Sequence, residues 1–136
     1  MTNDEHTGVI ESVVARVNGQ AKVLAGVGGN DTRNVTILAS RALEMGADGV
    51  LAVAPYYNKP TQAGMVAHFT AIADTVDIPL VLYNVPGRTS SNILPTTVLR
   101  LAEHPNIVGI KEASGDLGQV MTIHAGRTEG VANMSG

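Results

Sequence analysis

Lys111 closes the short apolar run Ile107–Ile110. A lysine at the end of a buried apolar run has two comfortable states. Either a carboxylate pairs with it, or its ammonium is destabilised so that the neutral amine can attack a carbonyl and form a Schiff base. Glu112 is a poor partner, because adjacent residues on a strand point to opposite faces. A second apolar run, Pro79–Leu82, leads into Tyr83 and the turn Asn84-Val85-Pro86-Gly87-Arg88. Tyr83 could give and take a proton beside that amine; the plainer alternative is a packed ring with its hydroxyl at the surface. The guanidinium fork of Arg88 suits a carboxylate, although most loop arginines are simply solvated. Tyr56, Tyr57 and Tyr83 are the only tyrosines, and all three fall at strand ends.

Other residues carry weaker signals. Gly26-Val27-Gly28-Gly29 has part of a dinucleotide fingerprint, but no glycine follows at position 31, so the segment reads as turn geometry. His6, His68, His104 and His124 show no spacing that suggests a metal site, and none is expected. The five methionines are scattered and read as core filler.

The elements that must position these groups alternate along the chain. Thr2-Asn3-Asp4-Glu5 is a capping box opening a first helix, with Val9, Ile10, Val13, Val14 and Val17 on one face and Asn18-Gly19 as its stop. Strands are expected at 22–27, 49–55, 79–83, 107–111 and 130–134. Helices between them start from Asn30, Thr61, Pro95 and Leu117, and Gly46 sits at the C′ position of the second. The strands are continuous apolar runs, which predicts burial on both faces and a parallel sheet flanked by helices. A doubly wound sheet and a (β/α)8 barrel both satisfy that pattern, and both place ligands at the C-terminal ends of strands. Tyr56, Tyr57, Tyr83, Arg88, Lys111 and Glu112 all lie at or just past such ends.

Bulk properties narrow the function classes. The 136 residues, 44% hydrophobic and 15% charged, predict one globular domain spanning 1–136. A net charge of −3 without basic stripes argues against nucleic acid, and no apolar run is long enough to span a membrane. The polar N-terminus and the lack of cysteine fit a cytoplasmic protein. The chain ends at Met134-Ser135-Gly136 as a strand should hand over to its loop, so it reads as cut, with five strands of eight and exposed edges.

Three motifs make the pattern specific. APYYNKP (54–60), LYNVPGRT (82–89) and VGIKEASGD (108–116), in that order, resemble the dihydrodipicolinate synthase family, pyruvate-dependent class I aldolases of the N-acetylneuraminate lyase superfamily. The resemblance runs from about Asp4 to Gly136 and implies strands three to seven of a (β/α)8 barrel, an incomplete single domain. It implies that Lys111 forms the imine with pyruvate, that Tyr83 transfers protons on the imine and enamine, and that Tyr57 completes the proton relay of an adjoining subunit. It also implies that Arg88 holds the carboxylate of aspartate semialdehyde and that Gly136 belongs to the substrate-binding set. No metal or organic cofactor is implied, because the lysine imine is the electrophilic handle. The expected reaction is condensation to 4-hydroxy-tetrahydrodipicolinate, in a homotetramer of tight dimers. Arginine after Asn-Val-Pro-Gly favours this synthase over the sialic-acid and sugar-acid lyases, the alternative on the same scaffold. A non-catalytic barrel remnant is the alternative from another class.

The departures are as informative. The family's Gly-Thr-Thr-Gly-Glu segment, which supplies a linking threonine and the amides for pyruvate's carboxylate, is absent from this sequence. Losing such groups typically costs ~10²–10⁴-fold each, so little turnover is expected of this chain alone. In members inhibited by lysine, the effector site would draw on the positions of His6, Asn30 and Tyr56. The glutamate usual in those members is Asn34 here, which argues against strong feedback.

Overall fold

The computed structural model describes all 136 residues. Helix α1 spans Asn3–Val17, and the Thr2–Glu5 capping box is formed as expected, with Asn18 ending the helix in the left-handed region. The chain then alternates through β1 (Leu24–Gly26), α2 (Thr32–Glu44), β2 (Gly49–Val53), α3 (Gln62–Thr75) and β3 (Leu80–Asn84). It continues through α4 (Pro86–Thr89), α5 (Pro95–Leu101), β4 (Ile107–Glu112), α6 (Leu117–Gly126) and β5 (Ala132–Ser135). Every expected strand and long helix is present. The short α4 lies where only a turn was expected.

Two features differ from the sequence reading. Asp31, not Asn30, caps α2: its carboxylate accepts from the Arg33 N–H at 3.0 Å. Both residue types cap helices well, so composition alone could not choose between neighbours. Val9 and Val13 are exposed, and only Ile10 of the apolar α1 positions is fully buried. Helical spacing places them on a common face, but α1 packs chiefly on α2, and Val9 and Val13 fall outside that contact.

The sheet order is β1-β2-β3-β4-β5, each strand parallel to the next. A doubly wound sheet must reverse its order at a switch point, whereas this one advances in a single direction as a barrel does. Burial on both faces, the second expectation, is only half met. Val50, Ala52, Ala54, Leu80, Leu82 and Ile110 are sealed under the helices together with Met65, Phe69, Ile72 and Ile123. Leu51, Val53, Tyr83 and Lys111, on the other face, are only half-buried. Five strands do not enclose the interior that eight would fill.

Two local features set the strand ends. Gly28 follows β1, and a Cβ there would meet Val53 N at 2.3 Å. This glycine therefore serves close approach to β2 rather than the turn geometry read from the sequence. The β3–β4 register shifts by one residue between Leu80 and Val81. Without that bulge Tyr83 would stand opposite Ile110; with it, Tyr83 stands opposite Lys111.

Candidate active site

The last residues of β3 and β4 pair as Tyr83 with Lys111 and Asn84 with Glu112. Members of a pair share a face and consecutive residues alternate, so the two pairs look in opposite directions. Tyr83 and Lys111 occupy the open face, with Lys111 Nζ 4.5 Å from the centroid of the Tyr83 ring. That contact holds the amine against the phenol's π-face. Lys111 joins none of the three ion pairs of the chain, which link Lys22 to Asp48, Arg41 to Asp4 and His104 to Asp74.

The Asn84–Glu112 pair is buried under the helices. Asn84 Nδ2 donates to both Glu112 oxygens, at 3.2 and 3.0 Å. Gln119 Nε2 donates to Glu112 Oε2 at 2.9 Å, and the Ser114 N–H to Oε1 at 2.7 Å. Glu112 closes β4 on the face opposite Lys111, as the sequence reading of strand alternation expects. Sequence reasoning missed this cluster, whose side chains come from three elements far apart in the chain.

Tyr83 also borders a cavity of about 390 Å³, lined in addition by Tyr56, Arg88, Thr89 and Gly28. Lys111 stands one strand beyond it and is not part of its wall. Arg88 reaches the cavity from α4, where Pro86 opens the helix and the Thr89 hydroxyl donates to the Val85 carbonyl at 3.2 Å. Tyr57 does not enter this cavity. It is 88% exposed, with φ +72°, and its N–H donates to the Thr89 carbonyl at 3.4 Å. A tyrosine in the left-handed region is strained by roughly 1–3 kcal/mol, and such residues cluster at functional sites.

Gly136 donates its N–H to the Glu112 carbonyl at 3.0 Å and lies against Lys111. A Cβ on it would come within 2.7 Å of Ala113 Cβ and 3.0 Å of Lys111 Cε. The three effector-site positions are separately engaged, and no hydrogen bond joins their side chains. His6 Nε2 donates to the Gly26 carbonyl at 2.8 Å, the Asn30 carbonyl accepts from Asn58 Nδ2 at 3.1 Å, and Tyr56 lines the cavity. Asn34 Oδ1 accepts from Asn3 Nδ2 at 2.7 Å. The histidines stand apart: His68 beside Thr32, His104 beside Asp74 and His124 beside Arg127.

The model of the dihydrodipicolinate synthetase family matches residues 1–136, the whole chain. The chain belongs to that family. It is 61% identical over 116 residues to the 4-hydroxy-tetrahydrodipicolinate synthase of Pelobacter propionicus, covering 85% of this chain and 40% of that protein. The crystal structure of dihydrodipicolinate synthase from Aquifex aeolicus superposes with a TM-score of 0.98 at 44% identity, over 100% of this chain and 47% of that one. The chloride-inhibited synthase of Acinetobacter baumannii, solved in complex with pyruvate, gives 0.97 at 45% identity, again over 100% and 47%. The chain therefore spans a little under half the length of the relatives it matches, and its parallel sheet and helices are that part of the family's barrel. No helix is long and apolar enough to cross a membrane.

Proposed function

We propose that Lys111 is the imine-forming amine of a dihydrodipicolinate synthase, and that the reaction joins pyruvate to aspartate semialdehyde. The observation that carries this reading is the register pair Tyr83–Lys111, with the amine 4.5 Å from the phenol ring and no carboxylate paired to it. The neutral amine of Lys111 adds to the C2 carbonyl of pyruvate, and the carbinolamine loses its oxygen as water to leave the iminium. Loss of a C3 proton gives the enamine. Its C3 then forms the new carbon–carbon bond to the aldehyde carbon, whose oxygen takes up a proton. Attack of the acceptor's amino group on C2 closes the ring and releases the lysine amine. The Tyr83 hydroxyl carries protons in the dehydration and enamine steps, a role worth ~10²–10⁴-fold. No metal or organic cofactor takes part, since the imine itself is the electron sink.

Arg88 lies in the cavity wall beside Tyr83, where its fork can take the acceptor's carboxylate bidentately. Gly136 leaves beside Lys111 the room that any side chain would fill. Tyr57, pointing outward from a strained loop, would complete the proton relay of a neighbouring subunit in a tight dimer, two of which form a tetramer. The chain by itself, with under half the relatives' length, turns over slowly.

Acceptor choice is tested in a single turnover. The chain is loaded with pyruvate, mixed with an aldehyde, and then reduced with borohydride. Aspartate semialdehyde is expected to deplete the pyruvyl adduct, while propionaldehyde leaves it intact. Equal depletion by both aldehydes would remove Arg88 and the carboxylate from the account.

A further inference from the structure

We infer that Glu112 is a positioning residue, whose buried carboxylate fixes the strand ends that bring Lys111 over Tyr83. The catalytic consequence rests on the function proposed above; the geometric one does not. Glu112 is 3% exposed, yet no cation pairs with it. Its two oxygens accept four hydrogen bonds from three groups on three parts of the chain: Asn84 on β3, Gln119 on α6 and the Ser114 backbone in the loop after β4. Asn84, fully buried, is held in turn by the Ile93 N–H, which donates to its Oδ1 at 3.0 Å, and by Asn92. A buried acceptor so completely satisfied rigidifies its surroundings, and one left without a donor carries the desolvation penalty of an unpaired buried group.

The geometry connects this cluster to the reacting face. Asn84 follows Tyr83 and Glu112 follows Lys111, and the two pairs occupy successive rungs of one parallel ladder. A shift between Asn84 and Glu112 is transmitted through a single peptide to each reacting side chain. The one-residue bulge lies below, between Leu80 and Val81, so the ladder's lower end does not fix the upper one on its own. Misplacing a reacting group by about 1 Å can cost on the order of 10²-fold in rate, which is the loss expected in imine formation when the cluster is broken.

The test reads position directly. Lys22, Lys59 and Lys111 are the only lysines, so the ε-methylene signals of a chain carrying ¹³C-lysine can be assigned by substitution. With its amine over the Tyr83 face, Lys111 should resonate upfield of Lys22 and Lys59 through the ring current. Glu112→Gln puts a donor where Gln119 already donates, and should move that signal towards the other two. A purely structural role would lower the melting temperature of this variant and leave the signal in place, which would overturn the inference. A wild-type Lys111 signal coincident with Lys22 and Lys59 would do the same. If Glu112→Gln does not fold, Gln119→Ala, which removes one of the three donors, serves instead, and an unmoved signal there is equally contrary. None of these spectra contains pyruvate, so a failure of the proposed function and a failure of this inference are told apart.

Discussion

Lys111 and His68 show how differently two half-polar side chains are treated within one core. Lys111 keeps an open face and an aromatic neighbour, which leaves its amine accessible. His68, on α3, is buried against Phe69, with Nδ1 2.8 Å from the Thr32 hydroxyl and Nε2 without any partner. Burial holds its pKa below the ordinary 6.5. The folded chain therefore binds this proton less readily than the unfolded chain does. The sign follows: stability is complete above the ordinary histidine range and falls as pH drops below about 6.5 towards the depressed value. Melting temperatures measured between about pH 5 and pH 7 should fall on acidification, and the fall should be shallower in His68→Gln. Equal slopes would place the sensitive group elsewhere. The sequence does not mark the behaviour of His68, which depends on which residues fold over it.

Elements were far more legible than contacts. Continuous apolar runs ending in Tyr83 and Lys111, with Thr2, Thr61 and Pro95 at helix starts, fixed the alternation because caps and periodicity are local signals. The Glu112 cluster was not legible, because Asn84 and Gln119 reach it from 28 and 7 residues away. The choice between Asn30 and Asp31 as the cap of α2 was likewise beyond composition, and it is testable. Asp31→Ala should cost about 0.5–2 kcal/mol, and Asn30→Ala, which keeps the backbone carbonyl that Asn58 uses, no more than about 0.5 kcal/mol. Urea midpoints of the two variants check this; the reverse order would return the cap to Asn30.

At the scale of the molecule, the chain presents one finished face and one open face. Helices α2, α3, α5 and α6 seal the outer side of the sheet, while the side carrying Tyr83, Lys111 and the cavity with Arg88 stays half-buried. The barrel choice came from the resemblance in sequence and was then decided independently by the one-directional strand order. What the residues at this open face do together is the central claim, and borohydride reduction in saturating pyruvate, mapped by peptide mass spectrometry, tests it most directly. The account predicts a single pyruvyl adduct, on Lys111, that disappears in Lys111→Ala. A folded chain with no adduct, or with adducts spread over Lys22 and Lys59, would contradict it.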